Sequence, residues 1–220
     1  MRWKTMDKNN KKTVHHIEKI DNFDNLGCPI LRFRSSLRGP CKGMAFANFI
    51  MDIEHRKHWD AQIEQVYKLL PMDNDLDKAT NLVGNGTYGS CTKLGVGYCQ
   101  TKKNLVVTSR EQLTLCGVNE ISDNGATIIW GKELDDKYNY MFPSEKRHTR
   151  ARSHLFSVAL VPTSFDTFDV EYTLQLDSGG KIPTWMTTPV IAETVKSLFQ
   201  YAENYYQDLP QRGLDASIFA

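Results

Sequence analysis

From Thr167 to Asp177 the chain alternates without a break. Phe168, Val170, Tyr172, Leu174 and Leu176 fall on one side of an extended backbone, and Asp169, Glu171, Thr173, Gln175 and Asp177 on the other. This period of two predicts an antiparallel strand with one apolar and one polar face. Gly179 and Gly180 end it, because paired glycines accept the positive φ of a tight turn. Beyond Pro183 the period changes: Ile191, Val195, Leu198, Ala202 and Tyr205 recur at steps of four, three, four and three. That spacing predicts a long helix with one apolar stripe, with Glu193, Thr194, Lys196 and Gln200 toward water. Such a helix, following directly on a half-apolar strand, is expected to lie across the sheet.

Upstream, Leu31 and Phe33 alternate with Arg32 and Arg34 as a first strand, which Gly39-Pro40 interrupts. Residues 44–51 carry the apolar face of a short helix. Strands are predicted near 66–70, 86–100, 105–117, 127–133 and 150–161, with a longer loop over 135–148. A helix, several antiparallel strands and a closing helix form an α+β pattern, not a doubly wound one. The organisation expected is a polar, disordered leader over 1–13, one domain over 14–208 and a tail over 209–220.

The 220 residues suffice for a core that buries roughly 70% of the unfolded surface without metal or disulfide. Twenty-seven basic residues against 26 acidic leave a net charge of +1, which argues against a general nucleic-acid binder. No apolar run approaches the roughly 20 residues of a membrane-spanning helix, and the lysine-rich start lacks the apolar core of a secretory signal. Five scattered cysteines read as reduced thiols of a cytosolic chain. His55 and His58 lie three apart beside Asp52 and Glu54, but no further His or Cys pair supports a metal site there. No glycine-rich phosphate loop opens a helix, and no cofactor is expected.

Four blocks in order carry a resemblance: His55-Arg56-Lys57-His58-Trp59-Asp60, Thr108-Ser109-Arg110-Glu111-Gln112-Leu113, Thr149-Arg150-Ala151 running to Pro162, and Asp177-Ser178-Gly179-Gly180-Lys181-Ile182-Pro183-Thr184-Trp185. Together they resemble the START (StAR-related lipid transfer) domain family, whose last motif reads DPGGxIPxW. The resemblance implies a helix-grip fold, a curved antiparallel sheet closed by the long C-terminal helix around an internal lipid cavity. It implies a monomeric, non-enzymatic carrier, cytoplasmic and transiently at membranes, that binds one lipid and transfers it. A helix-grip enzyme of the hydrolase or cyclase kind, and a lipid sensor that does not transfer, are the alternatives. The enzyme has only His154 with Glu111 or Arg152 as acid–base material.

The lining that the resemblance implies comprises Arg56, Trp59, Cys99, Gln112, Thr114, Cys116, Arg152, His154 and Phe156. Arg56 stands where phospholipid-carrying relatives grip a phosphate; the structural reading makes it the partner of Asp52 or Asp60. The internal acid and arginine of sterol-type members fall here on Gly97 and Cys116, so a phospholipid is favoured over a sterol. The choline cage of other members falls on Cys99, Gln112 and His154, which lack its aromatic faces. Tyr138, Tyr140, Met141 and Phe142 form the expected membrane-touching lid.

Overall fold

A computed structural model describes residues 3–6, 16–21, 24, 26–39, 43–70, 91, 93–103, 108–121, 123–134, 136 and 148–208. Its strands are β1 (Lys4–Thr5), β2 (His16–Ile20), β3 (Ile30–Arg38), β4 (Ile63–Leu70), β5 (Lys93–Thr101), β6 (Arg110–Ile121), β7 (Ala126–Glu133), β8 (Thr149–Arg150), β9 (Arg152–Pro162) and β10 (Thr167–Asp177). The helices are α1 (Gly43–Met51), α2 (Ile53–Trp59) and α3 (Thr184–Asp208). The strands form one antiparallel sheet in the order β1-β2-β3-β10-β9-β7-β6-β5-β4, with β8 added in parallel to β6. The sheet is curved and open: β1 and β4 are its edges. One residue pair of the polar leader therefore departs from expectation. Lys4 and Thr5 pair with Lys19 and Glu18, and a backbone ladder of this kind does not require apolar side chains.

The predicted alternation sets the two faces. Phe168 and Val170 of β10 are buried with Phe33 and Leu37 of β3, Leu160 of β9, and Leu198 and Ala202 of α3. Further along β10 the same inward row continues as Tyr172, Leu174 and Leu176, but there sheet and helix enclose a space instead of touching. The predicted stripe of α3 holds, with Val195, Leu198 and Ala202 buried, and Phe199 and Tyr206 widen it. Tyr206 does so because α3 also meets an aromatic seam from α1: Phe49 lies 5.4 Å from Tyr201 and 5.3 Å from Tyr205, and Phe46 stacks on Tyr206 at 6.5 Å. His55 and His58 join this seam, His55 at 4.7 Å from Phe49 and His58 stacked on Tyr201 at 5.3 Å. Thr194 does not face water as the stripe suggests; it lines the enclosed space, and its hydroxyl bonds back to the Val190 carbonyl.

Asp52 separates α1 from α2 and caps the latter, its carboxylate accepting from the Glu54 and His55 amides at 2.7 and 3.4 Å. This cap starts the helix that carries Arg56, and the helix ends at Trp59 with Asp60 as its C-cap, so one short element delivers a cation, an indole and the following Asp60 to one place.

Candidate functional site

The space between α3 and the sheet has a volume of about 670 Å³, in the upper part of the roughly 300–1,000 Å³ range of ligand sites. Its walls are mostly apolar, with Phe156, Leu174 and Leu176 from the sheet and Ile191 and Val195 from α3. Into this setting α2 projects Arg56. Its Nε donates to Asp60 Oδ2 at 3.2 Å, and its guanidinium lies 5.3 Å from the centre of the Trp59 ring. Asp60 keeps 8% of its side-chain surface and Arg56 20%. The Nη groups of Arg56 make no hydrogen bond among the described residues.

The cavity's polar groups divide by charge state. Burial pushes the Cys116 thiol up to about 12, against the pull of Arg56. Burial likewise raises Cys99 and Tyr172, each again opposed by Arg56. All three are therefore neutral at physiological pH. Burial, the largest single influence, acts to lower the pKa of Arg56, and Cys99, Asp60 and Tyr172 together outweigh it and raise the pKa. With the thiol and the phenol uncharged at neutral pH, Asp60 is the counter-charge that holds Arg56 cationic. Gln112 and Thr114 of β6 and Ser153 of β9 complete the polar lining, and no hydrogen bond from the Gln112 amide exists among the described residues.

Of the residues expected in the lining, Arg56, Trp59, Cys99, Gln112, Thr114, Cys116 and Phe156 border the cavity. Arg152 and His154 do not. Alternation from Phe156 predicts both on the inward face, but a β-bulge intervenes: Gln175 faces Leu155 and Leu176 faces Ser153, leaving His154 as the extra residue. Ser153 takes the inward position. Arg152 turns out to Asp136 at 2.9 Å, and His154 shares a 3.0 Å hydrogen bond with Glu133. Glu111, the other acid–base candidate, is fully buried away from the cavity, bonded by the Tyr98 hydroxyl at 3.2 Å and beside Arg150 and His148 at 3.4 and 3.5 Å. The expected lid residues Tyr138, Tyr140, Met141 and Phe142 lie outside the described residues. Sequence reasoning missed Asp60 as a wall residue, Ser153, and Tyr172 as a polar group inside the cavity. The period-two row does put Tyr172 inside; whether its hydroxyl is used depends on neighbours that the row does not name.

Three of the signature blocks meet at one end of the cavity. The Arg110 guanidinium donates to the carbonyls of Ser178 at 3.0 Å and Gly179 at 3.4 Å, and to Thr108. Gly179 and Gly180 have φ of +69° and +72°, and a Cβ on Gly179 would sit 2.5 Å from the Arg150 carbonyl oxygen. Side chains are excluded there by both conformation and space. The turn that launches α3 is thus held against β6 and β8. Beyond it, Trp185 is 73% exposed, and Met186 and Val190 are both partly exposed and part of the cavity wall.

A smaller cleft of about 320 Å³ adjoins, lined by Gln62, Pro189, Val190 and Glu193 among others. Trp59 borders both spaces, and its buried Nε1 lacks a hydrogen-bond partner among the described residues. No helix of the described residues is long and apolar enough to cross a membrane, and no described cluster of side chains could hold a metal ion.

No family sequence model and no curated protein sequence matches the chain. Solved structures do match in fold. Human STARD10 superposes with a TM-score of 0.69 at 15% identity, covering 95% of this chain and 76% of that one. Human StAR-related lipid transfer protein 5 gives 0.66 at 11% identity, covering 94% and 87%. The STAR-related lipid transfer protein of Xanthomonas axonopodis gives 0.64 at 14% identity, covering 93% and 98%. The chain therefore has a START-like helix-grip fold.

Proposed function

We propose that this protein binds one phospholipid molecule in the cavity and carries it between membranes. Two of the proteins that share the fold are named for lipid transfer, which supports lipid binding and transfer in general. The phospholipid reading rests on one observation: a cation that keeps hydrogen-bond donors unused inside an apolar chamber. A guanidinium has five N–H donors. Asp60 takes one of those of Arg56, which lines the cavity, and the Nη groups have no partner among the described residues. Once a ligand's chains displace water from the chamber, donors left there are costly unless the ligand also supplies acceptors. A phosphate diester supplies two anionic oxygens and suits the guanidinium fork. A sterol hydroxyl accepts too little to match that donor set, and Gly97 and Cys116 offer it no ion pair.

The apolar walls account for extraction. Each methylene withdrawn from water gains about 0.8 kcal/mol, so a lipid leaves a bilayer only for a container as apolar as the one it quits. Membrane contact has support where α3 begins: Trp185, Met186 and Val190 are exposed beside the cavity, and Lys181 adds a positive charge suited to anionic headgroups. The carrier acts as a monomer in the cytosol between such encounters.

The test is transfer of fluorescent phosphatidylcholine and phosphatidylethanolamine from donor to acceptor vesicles, set against fluorescent cholesterol. Phospholipid transfer by the wild type, lost in Arg56→Ala with an unchanged circular dichroism spectrum, is expected. Cholesterol moved as fast as phospholipid, or full phospholipid transfer by Arg56→Ala, overturns the reading. Retention of one phospholipid without transfer converts the carrier into a sensor.

A further inference from the structure

We infer that Tyr172 is a second donor to the ligand phosphate and, with Arg56, forms a two-point clamp that selects phosphate-bearing lipids; this rests on the phospholipid reading above. Tyr172 sits on β10, in the inward row that passes from core to cavity wall. Its ring is fixed edge-on between Phe33 at 6.2 Å and Phe156 at 5.3 Å. A tyrosine held in this way has lost its rotamer freedom before ligand arrives. Its hydroxyl makes no hydrogen bond among the described residues, which is unusual for a tyrosine so largely enclosed.

The charge acting most strongly on that hydroxyl is Arg56. Both side chains line the one cavity, so an anionic group drawn to Arg56 enters a space that the phenol also borders, and the phenol keeps its proton there, so it is a donor. Asp60 is already engaged by Arg56 and by the Gln62 amide at 3.2 Å. What the Arg56–Tyr172 pair lacks is an acceptor with more than one oxygen. A phosphate diester places one non-bridging oxygen on the guanidinium and offers the other to the hydroxyl. Diacylglycerol, with the same chains and no phosphate, fills the walls and leaves both donors unmet.

The experiment compares the full chain with Tyr172→Phe, which keeps the ring and removes only the oxygen, against fluorescent phosphatidylcholine and fluorescent diacylglycerol of matched chains. Loss of one hydrogen bond to a charged group corresponds to a roughly ten- to hundred-fold weaker affinity. We expect that loss for phosphatidylcholine and an unchanged affinity for diacylglycerol. Equal weakening for both lipids assigns Tyr172 a packing role and overturns the inference. Unchanged affinities, with phosphatidylcholine still lost in Arg56→Ala, overturn it while the phospholipid reading stands. A wild type that binds both lipids equally overturns the reading and the inference together.

Should Tyr172→Phe fold poorly, a single 3-fluorotyrosine at 172 gives a second measurement. Its 19F resonance is expected to move on loading with phosphatidylcholine by more than on loading with diacylglycerol, and identical shifts overturn the clamp.

Discussion

Replacing Asp60 by asparagine breaks the charge balance of the cavity. The substitution is isosteric, but its one oxygen, kept on the Gln62 amide, leaves an NH2 group facing the Arg56 Nε, so it removes both the negative charge beside Arg56 and the hydrogen bond that Arg56 donates. Breaking a fully buried ion pair by neutralising one partner costs about 3–5 kcal/mol. Here Arg56 retains 20% of its side-chain surface, open to a cavity that admits water when empty. The cost is therefore discounted to about 1–3 kcal/mol for the lipid-free protein. A bound phosphate restores the missing anion. Ligand binding in Asp60→Asn is then expected to recover most of the lost stability, which equals a phospholipid affinity roughly five- to a hundred-fold above wild type. Urea denaturation of delipidated protein, with and without a short-chain phosphatidylcholine below its micelle concentration, measures both quantities. The reasoning fails if lipid-free stability is unchanged. It also fails if affinity falls, since Asp60 would then be orienting Arg56 and not offsetting it.

Other outcomes follow from the same geometry. Because burial raises the pKa of Cys99, Cys116 and Tyr172, each holds its proton more tightly in the fold than in the unfolded chain. That contribution is complete below the unfolded value of 9.0 for a thiol and is lost as pH climbs toward about 12 for Cys116. Urea midpoints should be flat near pH 8 and fall above pH 9, and Cys116→Ala should soften that fall. Gly179→Ala places a Cβ against the Arg150 carbonyl at positive φ; a loss of about 1–3 kcal/mol in thermal or urea unfolding is expected, and an unaltered midpoint refutes the steric reading. Trp185→Ala should lower binding to anionic vesicles in co-sedimentation while leaving the melting temperature within a degree or two, since the side chain is 73% exposed.

The alternation in β10, the stripe on α3 and the glycine pair between them were legible because each is a repeated local pattern matched to one backbone geometry. The same row put Tyr172, Leu174 and Leu176 on the inner face before any coordinates. Arg152 and His154 escaped for the opposite reason. A single extra residue at His154 reverses the facing of everything before it, and no residue type marks a bulge of this kind. Lys4 and Thr5 escaped because an edge strand is recruited through its amides and carbonyls, which every residue possesses. Tyr206 lies outside the single stripe because α3 is gripped by Phe46 and Phe49 as well as by the sheet.

Arg110 fastens the base of the closing helix through carbonyl oxygens, which no mutation of the residues bearing them can delete. The resembled motif has proline at the position of Ser178, and either residue presents the same acceptor. The fastening thus tolerates change at Ser178 but not at Gly179, where positive φ and the Arg150 carbonyl exclude a side chain. The helix is thus held at both ends, by Arg110 where it begins and by the Phe46–Phe49 seam around Tyr206 where it finishes, so the stretch bordering the cavity is spanned between two anchors.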